Sequence, residues 1–158
     1  MSIGLKIKQK KFRNEYHKAT ANLFYTASCI ALNTNKYLKE FGITLPQYNI
    51  LRILRGQFPK SVIVNLIIER MLDKSSNVSR ILDKLGLKAL INRKTSKTDR
   101  RIVEVIISKK GLDLLQKIDQ FESDLYFGLK NLDESEIKEF NRLLDKVREL
   151  NPENQQLP

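Results

Sequence analysis

Tryptophan is absent, and cysteine and histidine occur once each, as Cys29 and His17, in a chain of 158 residues. A single cysteine excludes an intrachain disulfide framework and any multi-cysteine zinc site. A single histidine removes most histidine-based metal and catalytic constellations. Cys29 and His17 sit on one helical stretch without a third partner, and no glycine-rich phosphate loop or metal-ligand spacing is present. The sequence therefore offers no enzyme chemistry, no metal and no cofactor. No apolar run approaches the ~18 residues that a membrane span needs. Lys6, Lys8, Lys10 and Lys11 stand where a signal peptide would place its apolar stretch. A cytoplasmic protein with no membrane partner is the expectation.

What is present in abundance is positive charge. Lys and Arg number 29 against 18 Asp and Glu, a net charge of +11, in a chain with 41% hydrophobic and 30% charged residues. Such a composition describes a globular protein, and the length suggests one compact unit with an appended dimerisation element. A chain of this size buries roughly two-thirds of its unfolded surface, enough to fold without a disulfide or metal staple. The charge is unevenly spread. Residues 70–111 hold twelve basic and four acidic side chains, whereas residues 112–158 hold six basic and eleven acidic. A basic centre wants a polyanion, and a merely solvated lysine-rich face is the alternative.

From Phe12 to Phe41, apolar or small residues recur at Phe12, Tyr16, Ala19, Leu23, Ala27, Ile30, Thr34, Tyr37 and Phe41. Steps of three and four mark one face of a long helix, which Gly42 closes. A second set, Phe24, Ala31, Leu32 and Leu38, widens the stripe, as a helix needs when one partner is in its own chain and another outside. Thr44 with Gln47 fits a capping box for the next helix, Ile43 with Tyr48 a hydrophobic staple, and Pro46 a first-turn position. Tyr48, Leu51 and Leu54 face inward and Gly56 ends that helix. Val62 to Met71 reads as a short helix or a strand–helix hybrid. Ser75 to Leu87 is a helix capped by Ser75 or Ser76, with Val78, Ile81, Leu82 and Leu85 inward. Leu90–Arg93 and Ile102–Ile107 read as strands flanking a polar, basic loop. Gly111 begins a helix carried by Leu115, Ile118, Phe121 or Glu122, Leu125 and Leu129. Asp133, with Glu136, caps the last helix, whose stripe is Ile137, Phe140, Leu144, Val147 and Leu150.

A short helix, a tight turn and a polar-faced helix form a helix-turn-helix, and the hairpin that follows makes it winged. The fold class is mainly α with a small β-hairpin wing. In such a unit the second helix enters the major groove, with its first residues at base edges. Ser75, Ser76, Asn77 and Ser79 are short donors and acceptors suited to that task. Arg80 and Lys84 lie a turn apart and reach flanking phosphates or a guanine edge. Lys74 and Lys97 count with them as cationic contacts. Capping would account for Ser75, but Asn77, Ser79 and Arg80 are read as lying too far along to serve it. At the hairpin tip, Asp99 beside Arg100 and Arg101 makes sense if the carboxylate pins one guanidinium and presents its fork to a narrow minor groove. The bland alternative is a surface ion pair of little worth.

Thr44-Leu45-Pro46-Gln47-Tyr48 with Leu51, Lys74 to Arg80 with Leu85, Leu90-Ile91 with Arg93, Asp99-Arg100-Arg101 and Ser108-Lys109-Lys110-Gly111 resemble, in order and spacing, the MarR family of bacterial transcription regulators. The resemblance covers about residues 40–115. It implies a homodimer that binds double-stranded DNA at a palindromic site, most often as a repressor. It implies residues 1–40 as an N-terminal dimerisation helix, 41–110 as the winged helix-turn-helix and 111–158 as C-terminal dimerisation helices. It also implies that Asp99 pairs with Arg101, the wing arginine, with Arg100 in the variable position between. Ala89 departs from the pattern, which has glycine there. Alanine resists positive φ, so the helix is expected to end differently or to run on toward Leu90.

The resemblance also implies a mode of release, since many family members leave DNA on binding a small aromatic or phenolic compound or on cysteine oxidation. An effector pocket would draw on Tyr16, Phe24, Tyr25, Tyr48 and Phe121, residues that would serve equally as core. Cys29 has no Lys, Arg or His within a helical turn to lower its pKa and reads as a packed residue. His17 reads as solvated. A second reading of the whole chain is a winged-helix protein-interaction adaptor that does not bind DNA.

Overall fold

The computed structural model describes residues 1–74, 76–95, 102–120, 126 and 128–149. The chain divides into two units, Met1–Leu125 and Tyr126–Pro158. The first holds helices α1 (Ile3–Lys6), α2 (Glu15–Glu40), α3 (Leu45–Arg55), α4 (Val64–Arg70), α5 (Val78–Leu87) and α6 (Lys109–Asp119). Strands β1 (Val62–Ile63), β2 (Ile91–Thr95) and β3 (Val103–Ile107) form one antiparallel sheet in the order β1-β3-β2. The second unit carries a 3₁₀ turn, Leu129–Asn131, and α7 (Glu134–Arg148). The architecture is mainly helical with a small sheet, as the patterning predicts. Among the described residues no helix is long and apolar enough to cross a membrane.

Helix α2 starts later than its apolar period suggests. Asn14 is the cap, its Oδ1 accepting the His17 N–H at 2.9 Å. Phe12 lies outside the helix, its ring edge-on to the exposed His17 imidazole at 5.6 Å. Hydrophobic spacing cannot see a cap, whereas an Asn before a first-turn Glu can. The other end closes as expected. Gly42 adopts φ +69°, its N–H donates to Lys39 at 3.0 Å, and the Ile43 N–H donates to Leu38 at 3.2 Å. This Schellman closure buries Leu38 and Ile43 together. The Thr44–Gln47 capping box also forms, with Gln47 Oε1 accepting the Thr44 N–H at 3.1 Å.

The core gathers Leu38, Ile50, Leu51, Leu54, Ile67, Leu82, Leu85, Val105, Leu115 and Ile118, all fully enclosed. The ambiguous stretch at 62–71 is both strand and helix: Val62 pairs with Val105 and Ile63 with Glu104, and α4 follows at once. The hairpin therefore gains a third strand. Its β2–β3 register sets Ile91 opposite Ile107 and Arg93 opposite Val105.

Helix α6 is capped by Ser108, whose Oγ accepts the Gly111 N–H at 3.0 Å. It ends at Asp119, where the apolar pattern had suggested continuation to Leu129. Leu129 belongs instead to the 3₁₀ turn after Gly128, whose φ of +67° is incompatible with an unbroken α-helix. Phe121 and Leu125 lie outside the described residues. In α7 the Asp133–Glu136 capping box is complete, with 2.9 Å bonds in both directions.

The end of α5 settles the question raised by Ala89. The helix does end there, and alanine adopts φ +57°. Its N–H donates to Gly86 at 2.8 Å and the Leu90 N–H to Leu85 at 3.1 Å, a second Schellman closure. The expectation that alanine would change the ending is corrected: tertiary bonds impose the glycine-like conformation. Ser108 Oγ donates to the Ala89 carbonyl at 2.8 Å, the Ser108 N–H to Leu90 at 3.0 Å, and Lys110 Nζ to Lys88 at 3.0 Å. Holding alanine in the left-handed region costs about 1 kcal/mol. Ala89→Gly should therefore stabilise the fold by about that amount and raise Tm by about 3 °C. A thermal melt that shows a lower Tm would contradict this origin of strain.

Candidate nucleic-acid interface

Helix α5 is built to show one face. Val78, Leu82 and Leu85 are buried, and Ser79, Arg80, Asp83, Lys84 and Leu87 are exposed. Its cap is Asn77, whose Oδ1 accepts the Arg80 N–H at 3.0 Å. This corrects two expectations, that Ser75 or Ser76 caps the helix and that Asn77 lies beyond capping reach. The helix simply starts at Val78, so the serines precede it. Asn77 keeps its amide NH₂ for other partners. Ser76 instead donates from Oγ to Asp73 Oδ2 at 2.9 Å, within the turn between α4 and α5. Lys74 donates to the carbonyls of Ile68, at 3.3 Å, and Glu69, so its ammonium also closes the end of α4.

Arg80 and Lys84, one helical turn apart, take part in no ion pair among the described residues. Two exposed cations without a carboxylate keep their charge available to a polyanion. Asp83 on the same face is matched by Arg93 of β2 at 2.8 Å. That bridge joins the exposed face of α5 to the wing strand. At a half-exposed site it is worth well under 1 kcal/mol, so its effect is orientational. Across the hairpin, Lys94 meets its register partner Glu104 at 3.4 Å, and Ser61 Oγ donates to Glu104 Oε2 at 2.7 Å. Arg93 and Lys94 were not among the expected contacts. Their signal was the strand itself, in which Ile91 is buried and every following residue exposed.

The structure thus brings Lys74, Ser76, Asn77, Ser79, Arg80 and Lys84 onto the turn and outer face of one short helix. Ser75, Lys97, Asp99, Arg100 and Arg101 lie outside the described residues, as does Phe121. Among the described residues, the other expected pocket residues differ in burial. Tyr48 is buried in the core and is within 3.0 Å of Arg52 through its hydroxyl. Tyr16 and Phe24, 85% and 74% exposed, stand out from α2. Tyr25 is half-buried, and a hydrogen bond with Cys29 pushes its phenol above the ordinary range. Cys29 is itself half-buried and belongs to α2, apart from the main core.

Comparison with known proteins follows the same outline. The MarR family description matches residues 43–103, from just before α3 to the first residue of β3. The HTH-type transcriptional regulator MgrA of Staphylococcus aureus is 32% identical over 114 residues, covering 72% of this chain and 76% of that protein. A MarR-like transcription regulator from Bacillus cereus superposes with a TM-score of 0.76 at 19% identity, covering 87% of this chain and 99% of that one. Staphylococcus aureus MepR, solved as a complex with DNA, has the same fold, with a TM-score of 0.71 at 23% identity over 87% of this chain and 97% of that one. The ordered helix-turn-helix and sheet, and an identity that extends over nearly three-quarters of the sequence, have one explanation: this chain belongs to the MarR family of transcription regulators.

Proposed function

We propose that the protein is a sequence-specific double-stranded DNA-binding regulator, acting in the cytoplasm as a homodimer on a palindromic operator and most simply as a repressor. The observation that carries this reading is the outer face of α5, where Ser79, Arg80 and Lys84 stand exposed with their cations unmatched beside a basic hairpin. Short polar side chains at the helix start read base edges, and the cations hold phosphates. Ser75 and the wing residues Lys97, Asp99, Arg100 and Arg101 complete the contact set, with Arg101 entering the minor groove.

A second copy accounts for surfaces that one chain leaves open. On α2, Tyr16, Leu23, Phe24 and Leu32 are exposed, and no residue of α7 is buried although its apolar stripe is intact. Residues 1–40 and 111–158 are accordingly assigned to dimerisation, and 41–110 to DNA. Release by a small molecule completes the proposed cycle, since a ligand with unequal affinity for two dimer shapes shifts their populations. Selection of duplexes from a random pool tests the reading. An enriched inverted repeat is expected. Failure to enrich any sequence would favour an interaction adaptor that keeps the fold without the DNA.

A further inference from the structure

Glycine is a poor helix former, yet Gly86 stands inside α5, the helix proposed to read DNA. Neither conformation nor crowding calls for it. Its φ is outside the left-handed region, and a Cβ built there would meet nothing within 4 Å. The residue is exposed, so the fold of the free chain gains nothing from the missing side chain. A bare backbone on an outward face is what a closely approaching ligand requires. Gly86 lies in the wall of an open groove of about 490 Å³ between α5 and β2, lined also by Asp83, Leu87, Ile91, Asn92 and Arg93. Leu87 is 89% exposed beside it, an apolar spot on the otherwise polar outer face of α5. The Arg93 guanidinium donates to Asp83 Oδ1 at 2.8 Å. It makes no other bond among the described residues, and a guanidinium carries five N–H donors.

We propose that this groove seats one sugar–phosphate strand of duplex DNA, the strand that separates the major groove taken by α5 from the minor groove taken by the wing. The seat rests on the DNA-binding reading and adds to it a place and a set of residues. With α5 in one groove and the hairpin in the next, the strand between the grooves has to cross between α5 and β2. The concavity lies at that crossing. Gly86 lets the strand come down to the helix backbone, and Leu87 covers a deoxyribose. Arg93 donates to a phosphate with the N–H groups that Asp83 leaves free.

Asp83 is the positioning residue of this seat. Its carboxylate, 66% exposed, would repel a phosphate on its own, and Arg93 neutralises it. The bridge also holds a long side chain in one geometry, so less rotamer freedom is lost when the phosphate arrives. A phosphate contact carries no base identity. The seat therefore sets the angle and register of the protein on the duplex and leaves its sequence preference to the start of α5.

The test measures affinity by anisotropy for the selected duplex and for one with scrambled half-sites, using the full chain. Gly86→Gln fills the groove with a good helix former and should melt no lower than the parent chain. It should bind the selected duplex about tenfold more weakly and keep the parent's ratio of selected to scrambled affinity. Asp83→Asn combined with Arg93→Gln removes the guanidinium without stranding a carboxylate. This double variant should bind both duplexes several-fold more weakly and lower the salt slope by about one. Ethylation interference on the parent complex, which needs no variant, should mark phosphates between the major-groove and minor-groove contacts of each half-site. Parent-like affinity or a changed affinity ratio in Gly86→Gln, an unchanged salt slope in the double variant, or no interference between the grooves would each overturn the seat while the DNA reading stands. A Gly86→Gln chain that melts well below the parent would show that the fold itself needs the glycine, and would likewise overturn it. A parent chain that binds no duplex would overturn the DNA reading and the seat with it.

Discussion

Gly111→Ala is expected to destabilise the fold by about 2 kcal/mol, the range of overpacking in a close-packed core. In a chain of this length that corresponds to a fall in Tm of about 6 °C. A Cβ at Gly111 would lie 2.7 Å from Ile107 Cγ1 and closer still to the Leu90 carbonyl oxygen. Neither neighbour can retreat cheaply. Ile107 is buried, and the Leu90 carbonyl already accepts the Ser108 N–H at 3.0 Å. The glycine lets the first turn of α6 lie directly on the strand that leads into the wing. Gly86 provides the contrast, because a Cβ there meets nothing within 4 Å. Gly86→Ala, within α5, should stabilise by roughly 1 kcal/mol through helix propensity alone. Denaturant titrations of the two variants should move in opposite directions, and a neutral Gly111→Ala would contradict the close approach.

Arg80→Ala is expected to weaken binding to the selected duplex by about 1–3 kcal/mol, roughly fivefold to 150-fold, with the fold intact. The backbone of Arg80 is fixed by the Asn77 cap at 3.0 Å, so its side chain starts from a defined place in the first turn of α5. Lys84→Ala should lower affinity for all sequences alike and reduce the salt slope by about one. Arg101→Ala should cost about as much as Arg80→Ala if the wing reaches the minor groove. Arg142→Ala in α7, whose guanidinium is bound to Glu139 at 2.7 Å, should leave binding unchanged. Fluorescence anisotropy at several salt concentrations separates these outcomes. Equal affinity for the parent chain and Arg80→Ala would remove α5 from the interface.

Much of this arrangement could be read from the sequence because it is governed locally. The capping boxes at Thr44 and Asp133, the glycine closure at Gly42 and the inward stripe of α5 each depend on residues within one turn. The hairpin was legible for a similar reason, since β-branched residues return directly across a polar loop. Other features are tertiary and left weak traces. Ala89 reads as a poor residue for a left-handed position, and bonds from Ser108 to its carbonyl and from Lys110 to that of Lys88, about twenty residues away, add to the local closure there. Gly111 reads as the start of a helix, whereas its role is set by the Leu90 carbonyl. The Asp83–Arg93 bridge spans a helix, a turn and a strand, so no fixed spacing announces it. Of the expected pocket residues, Tyr48 packs in the core while Tyr16 and Phe24 face outward, and aromatic content alone does not distinguish those fates.

Footprinting on the selected duplex tests the central assignment most directly. Dimethyl sulfate and hydroxyl-radical protection report the major groove and the backbone separately. Two major-groove protections about one helical turn apart are expected, with minor-groove protection at both flanks that Arg101→Ala removes. A single protected patch, or protection unchanged by both Arg80→Ala and Arg101→Ala, would contradict the assignment.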